Sequence, residues 1–292
     1  MATAREIQRR IRSVGNIGQV TRAMEAVAAS KMRRAQERTR ASRPYADRAW
    51  EILTYVAAQP AAGKVIHPLL EQRTVRNIGL LLITPDRGLC GGLPTNVIRE
   101  AVGFMARQSV PLRIIGIGRK GTDFMMRHAV DVHAEFTGLP DLPPLTEITP
   151  IARLAIDDFL NETFDQVCLT YADFINTMLQ RPVTRQLLPI EPAVIEGAGG
   201  IAYTIEPDPE TVLSEVLEGF TVLQIYQAIL DAQASEHSAR MVAMRAATEN
   251  AEALVEDLTL TYNRARQEAI TKELLDIAGG AEALAKARAM AT

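Results

Sequence analysis

Three glycines near the middle of the chain have a spacing that can bind nucleotide phosphates. Gly116, Gly118 and Gly121 form the pattern G-x-G-x-x-G between a predicted strand and a predicted helix. In dinucleotide-binding folds such glycines let backbone N–H groups approach a pyrophosphate, and an acid on the next strand, here Glu135, binds a ribose hydroxyl. The pattern does not follow the first strand of its domain, however, and it arises readily in any strand–turn–helix unit. We therefore prefer a structural turn and keep a nucleotide-binding enzyme that uses residues 116–121 as the alternative.

The segment RGLCGG, residues 87–92, is a second glycine-rich turn after a predicted strand. Its backbone amides could hold a phosphate, but it lacks the G-K-[ST] of a P-loop, so a tight turn is the better interpretation. Cys90 could act as a nucleophile only beside an activating base, and no histidine has a suitable spacing. The histidines also show no metal-binding spacing: they are His67, His128, His133 and His237. We expect no catalytic residue, no cofactor and no metal site.

Strands and helices alternate through the middle of the chain. Short β-branched runs bounded by turn residues predict strands at Asn77–Thr84, Pro111–Gly118, Val130–Phe136, Asp165–Tyr171 and Val183–Ile190. Helical patterns separate them at Thr95–Gln108, Lys120–His128 and Thr149–Asn161. This alternation predicts a mainly parallel, Rossmann-like sheet covered by helices.

Both ends of the chain have long helical patterns with narrow apolar seams. Residues 210–278 contain no proline and only one glycine, Gly219, so the C-terminal helix is much longer than the usual 20 residues or so. The N-terminal seam consists of Ile7, Ile11, Val14, Gly18, Met24, Val27, Ala28, Met32 and Ala35. The C-terminal seam consists of Leu213, Val216, Phe220, Leu223, Leu230, Ala251, Leu254, Leu258, Tyr262 and Ala265. Seams this narrow suit pairing with one long helix.

The two seams predict an antiparallel coiled coil of the N- and C-terminal helices, with the α/β domain inserted between them. The corresponding segments are residues 1–59, 75–195 and 209–288, and the segment Pro189–Pro209 connects the α/β domain to the last helix. Because no apolar run approaches 18 residues, the sequence predicts no transmembrane helix.

Charge is distributed unevenly along the chain. Through residue 44 there are eleven lysines and arginines against three acids, a local net charge of +8 in a chain whose net charge is −3. Such a segment is expected to meet an acidic partner, which could be a nucleic acid, an anionic membrane or a protein surface. Residues 31–43 have no interleaved aromatic side chains for base stacking, so a protein partner fits at least as well.

Four sequence motifs resemble the γ subunit of F-type rotary ATP synthases. ITKELLDIAGGAEAL, residues 270–284, is similar to the C-terminal signature of that family, with Ile270, Thr271, Glu273, Asp276, Gly280 and Ala281 at the signature positions. REIQRRIRSVGNIGQVTRAMEAVAASKMRRAQ, TPDRGLCGGL and SEHSARMVAMRAATENA resemble its N-terminal helix, first loop and terminal-helix start. Pro94 replaces a more frequent asparagine, and the cysteine-bearing insertion of chloroplast relatives is lacking. The resemblance implies a bacterial protein.

The resemblance also implies a mechanical function. In this family the coiled coil is the central shaft within a ring of α and β subunits, and the α/β domain docks on the c-ring with the ε subunit. Such a chain performs no bond chemistry, because ATP forms or hydrolyses on β. It needs no cofactor, nucleic acid or substrate of its own, and it lies peripherally on the cytoplasmic face of the cell membrane. The residues expected to contact the ring are Met24, Lys31, Arg33, Arg34, Arg240, Arg266, Gln267, Thr271 and Glu273.

Overall fold

The computed structural model describes residues 3–57, 67–190 and 209–290. It divides into two compact units, one of residues 1–26 with 244–292 and one of residues 27–243. Two long helices, α1 (Ala4–Ala57) and α5 (Pro209–Met290), each contribute to both units. The interior of the predicted connector, residues 191–208, lies outside the described residues.

The larger unit contains a five-stranded sheet with the order β3-β2-β1-β4-β5. Its strands are β1 (Ile78–Ile83), β2 (Leu112–Ile117), β3 (Val132–Phe136), β4 (Gln166–Phe174) and β5 (Gln180–Leu188). β1 to β4 pair in parallel, whereas β5 runs antiparallel to β4 as an edge strand. Every residue of β1 is buried, as expected for a central parallel strand covered on both faces. The predicted mainly parallel sheet is confirmed.

Helices cover both faces of this sheet. One face packs against α2 (Leu93–Arg107) and α3 (Arg119–Arg127) around Leu80, Leu82 and Met125. The other face packs against α4 (Leu145–Leu160) and the first part of α5, with Leu81, Ile115 and Phe159 among its buried residues. In α2, Pro94 occupies the first turn, where proline is tolerated because that N–H has no helical partner.

The smaller unit is an antiparallel pair formed by the start of α1 and the later part of α5. The hydroxyls of Thr21 and Thr248 hydrogen bond to each other at 2.7 Å, and Arg245 Nε pairs with Glu25 Oε1 at 2.8 Å. Arg22 also pairs with Glu252. Residue numbers fall along α5 as they rise along α1, so the helices run in opposite directions and the predicted antiparallel coiled coil is confirmed.

The observed seams differ in detail from the predicted ones. Val27 is 55% exposed and Leu254 is 47% exposed, so both lie outside the seams in which the sequence placed them. Thr21 and Thr248 are buried in the smaller unit although they are polar. Next to Leu254, it is Val255 that faces the seam: it is half-buried and follows Ala251 at the heptad spacing of four. Apolarity alone misplaced these residues because the heptad register and the paired hydroxyls decide which positions face the partner helix.

Gly15 and Gly18 differ in their surroundings, which generates a prediction. A Cβ on Gly15 would meet no atom within 4 Å, whereas one on Gly18 would lie 3.4 Å from the Cβ of Ala251. We expect Gly15→Ala to raise the unfolding free energy of the isolated chain by about 0.5–1 kcal/mol through helix propensity. Gly18→Leu should lower it by about 1–3 kcal/mol through overpacking. Denaturant titration followed by circular dichroism measures both, and equal effects would contradict a close approach at Gly18.

Candidate functional site: loop-end turns, a polar network and a free helix end

The glycine pattern at residues 116–121 lies at the start of α3, where N–H groups could bind an anion. Protein acceptors already occupy those groups. Arg119 N donates to Asp86 Oδ1 at 3.0 Å, Lys120 N to the Pro85 carbonyl at 3.1 Å, and Gly121 N to Thr84 Oγ1 at 2.8 Å. A carboxylate of the chain itself therefore takes the position that a phosphate would need.

The glycines are required by packing. Gly118 has φ +90°, and a Cβ there would overlap the Thr84 carbonyl oxygen. A Cβ on Gly121 would lie 2.8 Å from Thr84 Oγ1, and one on Gly116 would overlap Thr122. The G-x-G-x-x-G spacing is thus explained by close contact with Thr84 and Thr122, as the structural-turn interpretation predicts.

α5 covers the crevice where doubly wound sheets bind ligands. That crevice lies at the carboxyl ends of the strands where the strand order reverses, here between β1 and β4. Ser235 of α5 donates to the Ala172 carbonyl at 3.0 Å, and Gln233 donates to the Pro140 carbonyl at 2.8 Å. The cavity left beneath α5 measures about 60 Å³, whereas small-molecule sites occupy about 300–1,000 Å³. The nucleotide-binding alternative is therefore not favoured.

The turn at residues 87–92 is a compact structure held by α5. Leu89 and Gly91 adopt positive φ values of 64° and 60°. Cys90 is buried, its thiol contacts the Arg87 carbonyl at 3.8 Å, and burial raises the pKa of that thiol. Arg240 Nη2 donates to the Gly88 carbonyl at 3.3 Å. Because a protonated, buried thiol is unreactive, Cys90 has a structural environment.

Five charged or titratable residues join this turn to both long helices, and we call them the His237 network: Lys31, Asp141, Glu236, His237 and Arg240. Arg240 pairs with Glu236 at 2.6 Å and approaches His237 Nδ1 at 3.4 Å. On the other side of the ring, His237 Nε2 lies 3.3 Å from Asp141 Oδ1, and Lys31 Nζ lies 2.7 Å from Asp141 Oδ2. His237 Nε2 makes no hydrogen bond within the described residues, so its contact with Asp141 is electrostatic.

Burial decides the protonation states in the His237 network. Desolvation lowers the pKa of His237 to about 4, with Arg240 and Lys31 acting in the same direction and Asp141 opposing them. Since arginine can only donate, the contact with Arg240 makes Nδ1 the acceptor and places the proton of the neutral ring on Nε2, facing Asp141. Burial also raises the pKa of Glu236, which Arg240 partly offsets. Partial burial opposes ionisation of Asp141, but Lys31, His237 and Arg240 together lower its pKa.

Beyond Ala265, α5 has no helical partner within the described residues. Val255, Leu258, Tyr262 and Ala265 are half-buried at alternating spacings of three and four, and every residue from 266 to 281 is exposed. Several of the exposed residues are large and apolar: Ile270 is 50% exposed, Leu274 63%, Leu275 67% and Ile277 70%. An apolar helical surface of this kind indicates contact with another molecule.

Comparison with known proteins identifies the family. The model of the ATP synthase family matches residues 3–284. The ATP synthase gamma chain of Dehalococcoides mccartyi is 50% identical over 285 residues, covering 98% of this chain and 100% of that one. The gamma chain of Herpetosiphon aurantiacus is 49% identical over 293 residues, covering 97% and 99%. The chain belongs to the ATP synthase gamma-chain family.

Solved structures agree with this assignment at the level of the fold. A chain from the Euglena gracilis mitochondrial ATP synthase, in a structure of OSCP, F1 and c-ring, superposes with a TM-score of 0.69 at 20% identity, covering 96% of this chain and 94% of that one. A chain from the central stalk and c-ring of the Tetrahymena thermophila enzyme gives a TM-score of 0.61 at 24% identity, covering 78% and 99%. Within the described residues, no helix of this family member has the length and apolarity needed to cross a bilayer.

The structure distributes the predicted contact residues of this gamma-chain family member over four places. Lys31 and Arg240 meet through the His237 network, whereas Arg33 and Arg34 are exposed on α1. Met24 is half-buried in the smaller unit. The others lie exposed on the unpaired end of α5: Arg266, Gln267, Thr271 and Glu273.

Sequence reasoning missed the roles of four residues that hold the site together. Glu236 and His237 lie inside the motif SEHSARM, and Asp86 lies inside TPDRGLCGGL, so the motifs marked their importance without showing their roles. Asp141, in the loop after β3, carried no sequence signal, because only the fold brings it next to Lys31 and His237.

The buried neutral ring of His237 makes stability depend on pH. In the unfolded chain His237 takes up a proton near pH 6.5, whereas in the folded chain its pKa is lowered to about 4. The unfolded state therefore binds more protons in this window, and the unfolding free energy falls as the pH falls through it, by about 2–3 kcal/mol. We expect His237→Gln to lose this part of the acid destabilisation.

Thermal melting of the wild type and His237→Gln between pH 7 and pH 4 provides the measurement. His128→Gln, which replaces an exposed histidine directly after α3, is the control and should follow the wild type. Identical acid slopes for the wild type and His237→Gln would contradict a neutral buried ring.

Proposed function

We propose that this chain is the central rotor shaft of an F-type ATP synthase, which couples ion-driven rotation of the c-ring to conformational change at the catalytic sites. The observation that carries the proposal is the exposed end of α5 in a member of this family. Residues 266–281 present large apolar side chains with no partner in the described chain. A surrounding ring of subunits would cover that surface.

The shaft acts by position rather than by bond chemistry. A rotating rod can bias the states of its neighbours only if it contacts those states differently, so an asymmetric surface is what the mechanism requires. ATP would form or hydrolyse on the β subunits, and this chain would contribute no catalytic group. The proposal needs no cofactor and no substrate of its own.

Two sets of residues are proposed to transmit torque. Met24, Lys31, Arg33 and Arg34 would face an acidic lever on β, which accounts for the basic N-terminal segment without nucleic acid. The second set would form a polar collar inside the ring: Arg240, Arg266, Gln267, Thr271 and Glu273. Exposed ion pairs contribute only about 0–1 kcal/mol each, so the steric shape of the shaft should dominate the coupling.

The remaining partners and the location follow from the same proposal. Residues 75–195 would form a foot that docks on the c-ring together with the ε subunit, while residues 1–59 and 209–288 would form the shaft. The assembly would hold this chain peripherally on the cytoplasmic face of a bacterial membrane.

Affinity purification tests the proposal. The tagged full-length chain should bring down two larger subunits, each in threefold excess, together with a small ε-like subunit. Recovery of the chain without those partners under conditions that preserve the complex would count against it.

Equilibrium dialysis with labelled NAD and ATP tests the alternative of a nucleotide-binding enzyme. If the chain is a shaft, we expect no tight nucleotide site on the isolated chain.

Charge reversal on α1 tests the torque-bearing role. The double substitution Arg33→Glu and Arg34→Glu should slow coupled ATP turnover of the assembled complex about three- to tenfold, because two contacts with the acidic lever become repulsive. The melting temperature of the isolated chain should hardly change, since both side chains are exposed.

The control is Arg9→Glu with Arg10→Glu, an adjacent exposed pair on the same helix outside the proposed contact set. It should leave turnover near the wild-type value. An equal loss of turnover and of stability in the Arg33/Arg34 variant would exclude a specific role for these two residues.

A further inference from the structure

We propose that His237 is a positioning residue: its ring holds the Arg240 guanidinium against the turn at residues 87–92 and, through Asp141, joins that turn to Lys31 on α1. This inference rests on the proposed function, because Lys31 and Arg240 are both proposed coupling residues. Lys31 and Arg240 are thereby linked through His237, which belongs to neither set of proposed coupling residues.

The contacts of Arg240 leave its guanidinium little freedom. The side chain is 13% exposed, and its two terminal nitrogens meet three acceptors on two different elements. Nη2 donates to Glu236 Oε1 at 2.6 Å and to the Gly88 carbonyl at 3.3 Å, while Nη1 lies 3.4 Å from His237 Nδ1. The planar fork of arginine suits such a fixed set of acceptors, so loss of the His237 acceptor should release one side of the fork.

The opposite edge of the His237 ring faces Asp141, which pairs with Lys31 of α1. Asp141 is 51% exposed and Lys31 is 33% exposed, so this end of the network reaches the surface. His237 itself is only 4% exposed. The ring therefore forms the buried middle of a path that leads from the Gly88 carbonyl to α1.

A neutral side chain with one acceptor and one donor suits this position. Positive groups face the ring from both long helices, Lys31 and Arg34 from α1 and Arg240 from α5, and Asp141 faces it from the loop after β3. A charged ring would repel the three cations, whereas a neutral ring accepts a hydrogen bond from Arg240 at Nδ1 and places its protonated Nε2 3.3 Å from Asp141 Oδ1, an electrostatic contact. Glutamine offers the same acceptor and donor, and leucine offers neither.

Cys90 provides a structural readout that does not depend on activity. It lies two residues after Gly88, it is 1% exposed, and Arg240 and Glu236 act on its thiol electrostatically. If Arg240 no longer holds the turn, the thiol should become accessible more often. Cys168 in β4 is also buried, and it reports independently on opening of the sheet core.

The experiment measures thiol labelling of the full-length chain by a maleimide, with each cysteine quantified by mass spectrometry. His237→Leu should increase the labelling rate of Cys90 about tenfold, the factor expected when a hydrogen bond to a charged group is lost, and leave Cys168 unlabelled. His237→Gln should restore the slow rate. Asp141→Asn alters a half-exposed side chain and should give a smaller increase, so that a test remains if His237→Leu folds poorly.

Coupled ATP turnover of the assembled complex is measured for the same variants. Slower turnover with His237→Leu, recovered with His237→Gln, supports the inference. Unchanged Cys90 labelling in both His237→Leu and Asp141→Asn overturns it and leaves the shaft proposal intact. Faster labelling with normal turnover would instead show that the turn is positioned by His237 but that Arg240 and Lys31 do not transmit torque.

Discussion

The whole arrangement depends on the narrowness of the seam between the two ends of the chain. In the smaller unit the middle of that seam consists of small side chains, with Gly18 against Ala251 and Thr21 hydrogen bonded to Thr248, while the larger residues Ile7 and Met244 are buried on either side of them. A seam this narrow buries little apolar area, so within the smaller unit neither helix has a face wide enough to fold against a core of its own. Each helix is stabilised by the other, and the segment between them must fold so that its two ends leave side by side.

Burial changes along α5 in a way that matches three different tasks. Between Leu213 and Leu230 the helix buries a broad apolar face against the sheet. From Met244 to Ala265 it buries only the narrow seam, and from residue 266 to 281 it buries nothing within the described chain. One continuous helix thus closes the crevice of the α/β unit, pairs with α1 and presents a free end. Doubly wound sheets normally bind a ligand in this crevice. Here α5 covers it, and the N–H of Arg119 within the glycine pattern donates to the chain's own Asp86.

Much of the fold could be predicted from sequence because its patterns are local. β-branched runs locate the five strands of the sheet. The length of α5 follows from a run without proline and with one glycine, and α1 follows from the spacing of its apolar residues. The helical pattern predicts the start of α4 at Thr149, yet the helix begins at Leu145 and contains Pro150. β4 extends to Phe174 and β5 begins at Gln180, since hairpin pairing recruits polar residues that lack a strand pattern. The long-range contacts of the site were not predictable, as Asp141 meets Lys31 and His237 only after the sheet has formed.

The most direct test of the paired ends is a disulfide across the seam. A Cβ on residue 18 would lie 3.4 Å from the Cβ of Ala251, close to the separation of about 3.8 Å that disulfides favour. With Gly18→Cys and Ala251→Cys, mild oxidation should cross-link residue 18 to residue 251 nearly quantitatively, and the assembled ATP synthase should still couple ATP turnover to rotation because the two helices move as one body. Failure of the cross-link to form, or a cross-linked complex that no longer turns, would contradict the account.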